Sequence, residues 1–260
     1  MRQRIITAVC LLAFVVPFIY LGGYFVMGLG LLGTAIATKE MIDMHEKLVK
    51  VPVVIKILTV IATLGIVLVP TLAMVGIIAI SHLLLLLLCS FLKKITANTV
   101  AFYALILAYI GFSFRALLGI RAASLTLFVF LLALVILTDS AAYFTGKFFG
   151  KSKLAPKISP NKTVEGAIGG LLIGALVAIG FNAVANLFTQ TWILSVLAFG
   201  LPITSQFGDL FASSLKRKYD VKDYGKIFPG HGGVMDRLDS LVLAGIVLYV
   251  ILYFSGSLAF

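Results

Sequence analysis

About nine apolar runs, each close to the length that crosses a lipid bilayer, dominate this chain. A helical crossing of the hydrocarbon core needs roughly 20 apolar residues. Hydrophobic residues make up 61% of the chain and charged residues 12%, whereas a soluble domain has about 45–50% and about 25%. The sequence therefore predicts an all-α, polytopic integral membrane protein and excludes an ordinary soluble domain. The runs cover residues 5–21, 24–38, 53–69, 72–92, 99–114, 122–142, 164–185, 192–208 and 241–260.

Positive charge is distributed unevenly between these runs. Lys and Arg residues of short loops favour the cytoplasmic side of a membrane. With the N-terminus in the cytoplasm and a reversal at each run, all of the 21 Lys and Arg residues except Arg115 and Arg121 fall inside. We therefore expect a cytoplasmic N-terminus in a multi-pass protein of the cell (inner) membrane.

The net charge of +11 indicates anionic partners. Because the basic residues lie in short loops between apolar runs, membrane lipids or anionic substrates are favoured, and nucleic-acid binding is not expected. The two cysteines, Cys10 and Cys89, lie inside apolar runs and form no Cys/His cluster. Neither a disulfide framework nor a zinc site is indicated.

The acidic residues divide the chain into two parts. Apart from a charged cluster near residues 39–50, every acid falls at or after Asp139. Residues 1–121 are therefore predicted to be N-terminal transmembrane helices, and residues 122–260 a C-terminal catalytic transmembrane region. The cluster itself is predicted to be a short helix in the membrane interface, because three apolar residues share one helical face. They are Met41, Met44 and Leu48.

Carboxylates of the second part gather at one predicted membrane edge. Asp139 and Asp209 lie at the inner ends of their runs, and Asp236 and Asp239 come just before the last run. A charge at membrane depth costs about 2.5 kcal/mol or more, so several at one level need partners. No basic residue occurs within residues 203–211 to neutralise Asp209. A bound cation is its expected partner.

The most polar stretch is the predicted cytoplasmic loop of residues 210–237. If the preceding helix continues into it, Asp209, Ser213 and Lys216 are spaced i, i+4, i+7 and share one face. Glycines near its end allow backbone N–H groups to approach a phosphate closely. Carboxylates, cations and a glycine turn suit phosphoryl or nucleotidyl transfer, in which the protein positions groups and neutralises charge.

The order of residues in this loop is more specific than its composition. Fourteen positions follow one spaced pattern: Ser213, Lys216, Arg217, Lys222, Asp223, Gly225, Phe228, Pro229, His231, Gly232, Gly233, Asp236, Arg237 and Asp239. This pattern resembles the signature of the phosphatidate cytidylyltransferase (CDP-diacylglycerol synthase) family. Residues 139–146, 159–166 and 206–210 also resemble family segments, although Ala212 stands where many relatives have Glu. The resemblance is strong from about residue 138 to 240 and only topological before that.

The resemblance implies a reaction and a cofactor. The cytidylyl group of CTP would be transferred to phosphatidic acid, which yields CDP-diacylglycerol and pyrophosphate, with the active site facing the cytoplasm. Mg²⁺ or another divalent cation would neutralise the phosphates. Its implied ligands are Asp209 and Asp236, with Asp239 and Asp139 as weaker candidates.

The resemblance also implies roles for other polar residues. Those implied to be catalytic, mainly by holding phosphates, are Lys216, Arg217, Lys222, His231 and Arg237. For His231, a turn residue that donates a hydrogen bond and a catalytic acid are equally open. Those implied to bind substrate are Ser213, Lys162, Gly232, Gly233 and Asp223.

Two alternatives stay open at this point. One is a related CTP-dependent transferase that acts on another lipid phosphate. The other is an ion or anion transporter whose buried acids mark a permeation path, although here the charges gather at one membrane edge. Assembly as a homodimer is also left open.

Overall fold

Helices account for almost all of the structure, a computed structural model that describes residues 2–91 and 95–256. Within these residues the chain forms ten α-helices, a π-helical turn and one two-stranded sheet. The helices are α1 (Arg2–Leu21), α2 (Gly23–His45), α3 (Val53–Leu68), α4 (Thr71–Phe91), α5 (Ala97–Ile106), α6 (Phe112–Ala123), α7 (Leu125–Phe149), α8 (Val164–Ala185), α9 (Thr191–Lys218) and α10 (Met235–Phe254). The π-helical turn, Leu107–Gly111, joins α5 to α6.

The helix lengths confirm an all-α polytopic membrane fold. Seven helical segments of the described chain are long and apolar enough to cross a membrane, and α1 and α3 contain shorter apolar stretches. The count of nine crossings therefore stays a prediction. Lys93 and Lys94, predicted to face the cytoplasm, and residues 257–260, the end of the last apolar run, lie outside the described residues.

The charged cluster near residues 39–50 does not form the separate interfacial helix that was predicted. Instead α2 continues to His45. Met41 and Met44 are buried in protein, whereas Leu48 is exposed beyond the end of the helix. An apolar stripe at helical spacing suits packing against protein as well as it suits a membrane surface, and here most of the stripe packs against protein.

The chain packs as two compact units, and the first comprises the residues up to Leu118 together with Asp223–Arg237. Its largest fully buried side chains come from α2, α3, α5 and the π-helical turn: Met41, Ile55, Ile66, Tyr103, Ile106 and Ile110. A buried hydrogen bond of 3.1 Å joins α2 to α3, from Thr38 Oγ1 to Thr63 Oγ1.

The second unit comprises Gly119–Lys222 and the residues from Leu238 onwards. Its α7 and α8 lie very close together because α8 carries glycine at every fourth residue: Gly166, Gly170 and Gly174. A Cβ atom at these positions would lie 2.4–2.9 Å from atoms of Thr138 or Ala142 on α7. Small residues at this spacing allow helix backbones to approach in a membrane. The contact fixes Asp139, next to Thr138, relative to the start of α8.

A short hairpin connects α7 to α8 and was not predicted from the sequence. Its strands, β1 (Lys153–Ala155) and β2 (Ser159–Thr163), pair antiparallel. Thr163 ends the hairpin and caps α8, because its hydroxyl accepts the Gly166 N–H at 3.1 Å. The Glu165 carboxylate accepts the backbone N–H groups of Lys151 and Ser152 at 3.0 and 3.2 Å. These bonds hold the hairpin against α8 and thereby fix Lys162 of β2.

Candidate active site

Helix α9 extends to Lys218, so the predicted loop of residues 210–237 is helical in its first part. The extension confirms the expectation that Asp209, Ser213 and Lys216 share one helical face. Ser213 Oγ donates a hydrogen bond of 3.2 Å to Asp209 Oδ1, and Lys216 is buried. A carboxylate, a hydroxyl and an ammonium group thus line up at the polar end of an otherwise apolar helix.

The sequence predicts a bound cation as the partner of Asp209, whereas in the structure the partner is a lysine of the hairpin. Lys162 Nζ lies 2.7 Å from Asp209 Oδ2, and the two side chains are 26% and 30% exposed. Because both groups are partly solvated, the ion pair adds little to stability. Its importance is positional, since it joins β2 to α9 at the face that carries Ser213. Two residues predicted separately, one as substrate-binding and one as a metal ligand, are therefore in direct contact.

Two further carboxylates of the second unit lie within electrostatic range of Asp209. Asp139 on α7 hydrogen-bonds the Ser240 side chain and also interacts with Lys162. Asp239 on α10 interacts with Lys216, and its Oδ1 accepts the Ser240 N–H at 2.9 Å. The second unit therefore brings together three predicted metal ligands with Lys162, predicted to bind substrate, and Lys216, predicted to hold phosphates.

The donor chemistry of this cluster suits a divalent cation that is shared with a substrate. Carboxylate oxygens are the ligands that Mg²⁺ prefers, and Mg²⁺ usually takes one or two of them together with substrate phosphates and water. Among residues 2–91 and 95–256, no group of three or more His, Cys, Asp or Glu side chains is arranged to hold a metal ion. The cluster fits a site that phosphates complete, and it does not fit a cation cage made of protein ligands alone.

Arg217, predicted to hold phosphates, contacts two backbone carbonyl groups in the structure. Its Nη1 donates to the Val221 carbonyl at 3.0 Å and its Nε to the Ile158 carbonyl at 3.4 Å. The guanidinium thus joins the end of α9 to the hairpin, although Arg217 as a whole is exposed. Lys222, which ends this part of the second unit, is exposed as well.

The rest of the signature, Asp223–Arg237, belongs to the first unit and contains a tight turn. The His231 N–H donates to the Phe228 carbonyl at 2.8 Å, with Pro229 and Gly230 between them. Proline followed by a residue with positive φ fits a type II turn, and Gly230 has a φ of 76°. The Nδ1 atom of His231 is buried and has no hydrogen-bond partner in the described part of the chain. Asp223 and Arg237, at the two ends of this segment, are exposed.

Asp236 holds this segment in a closed shape. Its Oδ2 accepts the Tyr224 N–H at 2.8 Å and the Gly233 N–H at 2.9 Å, and the residue is 7% exposed. A Cβ atom at Gly232, where φ is 81°, would lie 2.6 Å from the same oxygen. The need for glycine at 232 therefore follows from Asp236, independently of any phosphate.

Glu40 on α2 also holds this segment, and sequence reasoning missed it. Its Oε1 accepts the Val234 N–H at 2.9 Å and its Oε2 the Met235 N–H at 3.0 Å. A signal was present in the sequence, because Glu40 shares a helical face with Ala37 and Met44, all three of which are buried. The charged neighbours of Glu40 indicated a solvated cluster instead.

Comparison with known proteins agrees with the motif. Residues 2–255 match the model of the cytidylyltransferase family. A protein of Staphylococcus epidermidis named phosphatidate cytidylyltransferase is 34% identical over 261 residues, which cover 97% of this chain and 99% of the relative. A Bacillus subtilis protein of the same name is 44% identical over 180 residues, 67% of each chain. This chain therefore belongs to the cytidylyltransferase family.

Proposed function

We propose that this protein transfers the cytidylyl group from CTP to phosphatidic acid. The observation that carries the proposal is the cluster in which Lys162 and Ser213 contact Asp209, with Lys216 on the same face of α9. Cations beside carboxylates at the end of an apolar helix suit two anionic substrates, one of them a lipid. The relatives of the chain carry the name of this activity.

The reaction forms one bond and breaks one bond at the α-phosphorus of CTP. A phosphate oxygen of phosphatidic acid attacks the α-phosphorus of CTP and forms a P–O bond. The bond from the α-phosphorus to the bridging oxygen of the β-phosphate breaks, and pyrophosphate leaves with that electron pair. The attacking phosphate is already ionised at neutral pH, so no general base is required. Positioning and charge neutralisation are then the main tasks of the protein.

The lysines of the second unit are assigned to the phosphates. Lys162 and Lys216 each interact with a carboxylate, which helps to order the two side chains before substrate arrives. Ser213 can turn its hydroxyl from Asp209 towards a phosphate oxygen, since a hydroxyl both donates and accepts. Arg217, in the last turn of α9, and Lys222, four residues beyond its end, are exposed and are assigned to the outer phosphates of CTP.

A divalent cation, Mg²⁺ or another, would neutralise the α-phosphate and the leaving pyrophosphate when bound. We assign its protein ligands to one or two carboxylates of the second unit, Asp209 first, with Asp139 or Asp239 as the second. Asp236 is kept in the proposal as the residue that shapes the signature segment, because its Oδ2 already accepts two backbone N–H groups.

The substrates fit a site at the cytoplasmic edge of the membrane. Phosphatidic acid reaches such an edge sideways from the inner leaflet, while CTP comes from the cytoplasm. The bias of Lys and Arg towards one side supports this orientation.

The test is an assay of purified protein in detergent with CTP, Mg²⁺ and phosphatidic acid. We expect equal amounts of CDP-diacylglycerol and pyrophosphate, and no product when the divalent cation is chelated. Asp209→Asn should reduce turnover to less than about a tenth, a barrier increase of more than about 1.4 kcal/mol. Asp220→Asn is the matched control, because Asp220 is exposed with a φ of 51°, a conformation that Asn tolerates well.

The same assay separates the alternatives. Activity with an ether-lipid or polyprenyl phosphate, but not with phosphatidic acid, would support a related transferase instead. Ion flux through proteoliposomes without pyrophosphate release would support a transporter. Full activity in Asp209→Asn would remove that carboxylate from the site.

A further inference from the structure

We infer that Glu40 is a positioning residue for the reaction: from α2 it holds the signature segment in its working shape through the backbone N–H groups of Val234 and Met235. The inference rests on the proposed function, since it assigns to that activity a residue from the N-terminal helices, outside the region predicted to be catalytic. All of the contacts that carry it lie within the first unit.

The contacts of Glu40 are specific for a carboxylate. Each of its two oxygens accepts one of two consecutive N–H groups, at 2.9 and 3.0 Å, where α10 begins. The first N–H groups of a helix have no partner within the helix, and the positive end of the helix dipole favours a negative charge there. Glu40 is only 6% exposed, so these bonds are well shielded from water.

The neighbouring glycines make room for this carboxylate. A Cβ atom at Gly233 would lie 2.2 Å from Glu40 Oε1, and one at Gly225 would lie 2.3 Å from the same oxygen. Contacts under 3.0 Å do not occur for real Cβ atoms. Two glycines of the signature are therefore explained by the approach of Glu40, and neither needs a bound phosphate to account for it.

Glu40 and Asp236 together occupy a continuous run of donors. Asp236 accepts the Gly233 N–H, and Glu40 accepts those of Val234 and Met235. A helix N-terminus with free N–H groups is a ready site for a phosphate, but here the protein supplies the anions itself. The start of α10 is thus locked by two carboxylates, which leaves the side chains of the segment to meet the substrates.

The turn before α10 has a second support from the first half of the chain. Thr7 Oγ1 on α1 donates to the Pro229 carbonyl at 3.1 Å. This bond is exposed, so Glu40 provides the stronger of the two attachments. The N-terminal helices therefore act on the signature segment directly.

The test compares three variants of the full-length protein in detergent. Glu40→Gln keeps the volume but turns an NH2 group towards an N–H donor. Glu40→Asp keeps the charge but is one methylene too short to serve both donors. Thr38→Val is the matched control, because it removes a buried hydrogen bond two residues earlier on the same helix with little change in shape.

Two readouts are measured on each variant. The first is kcat and KM for CTP and for phosphatidic acid, at a temperature where melting curves show every variant folded. The second is hydrogen exchange of the peptide that contains residues 224–235, which needs no activity. We expect Glu40→Gln to lose about a hundredfold in kcat, the scale of a 1 Å misplacement, with faster exchange in that peptide. Glu40→Asp should recover part of the kcat, and Thr38→Val should match the wild type in both readouts.

The outcomes separate positioning from general stability. Wild-type kcat in Glu40→Gln, or a loss of kcat with unchanged exchange, would overturn the inference. An equal loss of kcat in Thr38→Val would reduce Glu40 to a structural residue. If the wild type itself makes no CDP-diacylglycerol, the proposed function fails, while exchange in Glu40→Asp and Glu40→Gln still decides whether Glu40 holds the segment.

Discussion

Replacement of Gly208 by alanine should damage the candidate site although the change adds a single methyl group. Gly208 precedes Asp209 on α9, and a Cβ atom there would lie 2.5 Å from the Asp239 carbonyl oxygen on α10. Ordinary van der Waals contact begins at 3.4 Å, so the two helix backbones must separate by roughly 1 Å. The positions of the added Cβ atom and of the Asp239 carbonyl oxygen are both fixed by helix backbones, so no side-chain rotation can relieve the clash.

The cost divides into stability and activity. Overpacking of this kind costs about 1–3 kcal/mol, and the better helix propensity of alanine returns about 1 kcal/mol. The free energy of unfolding should therefore fall by no more than about 2 kcal/mol. Activity should suffer more, because Asp209 and Asp239 move apart with their helices, and misplacement by 1 Å costs about a hundredfold in rate.

The same helix offers a matched control. A Cβ atom at Gly200 meets nothing within 4 Å, so Gly200→Ala should keep full activity and raise stability by up to about 1 kcal/mol. The assay is kcat for CDP-diacylglycerol formation, together with melting temperature in detergent. Gly208→Ala that keeps more than half of the wild-type kcat would refute the reasoning, and so would an equal loss in Gly200→Ala.

Three further predictions concern charged residues. Arg217→Lys should lose about 1.5–3 kcal/mol in kcat/KM, because a lysine cannot serve the two carbonyl groups that the guanidinium bridges; wild-type kinetics would leave Arg217 only a role in topology. The hydrogen bond from Lys56 lowers the pKa of Glu46 below its ordinary 4.5, so its stabilisation is present above pH 4.5 and disappears as the pH falls through the lowered value. Lys56→Met should therefore flatten the acid side of a plot of melting temperature against pH, and an unchanged plot would contradict this. Lys226→Cys, at an exposed position in a variant without the native cysteines, should react with an impermeant thiol reagent only from the cytoplasmic side; reaction from outside intact cells would invert the topology.

Much of the fold could be predicted because the signals are local. Apolar runs of membrane length correspond to helices throughout the described chain. The spacing of Asp209, Ser213 and Lys216 predicted one helical face, and α9 carries them on that face. The fixed spacing of the signature pointed to the family without any structural information. Each of these inferences depends on residues within a few turns of one another.

The parts that could not be predicted depend on distant partners. The absence of basic residues near Asp209 in the sequence predicted a bound cation but did not identify Lys162, because β2 is too short and too polar to be recognised as a strand. The role of Glu40 could not be predicted for a related reason, since its backbone donors lie 194 and 195 residues further along the chain. Helix periodicity alone does not distinguish a face that packs on protein from one that lies on a membrane surface. The interfacial helix near residues 39–50 was wrong for that reason.

The distance along the chain between Glu40 and its backbone donors has a consequence for biosynthesis. Glu40 is synthesised 194 residues before Val234, which at about 5–20 residues per second is a delay of roughly 10–40 s. During that interval the Glu40 carboxylate has none of its final backbone donors. Domains generally fold as units, the N-terminal ones first during synthesis, but here the first unit is completed only by Asp223–Arg237. The helices that are synthesised first therefore lack their contacts with Asp223–Arg237 until that segment has been synthesised.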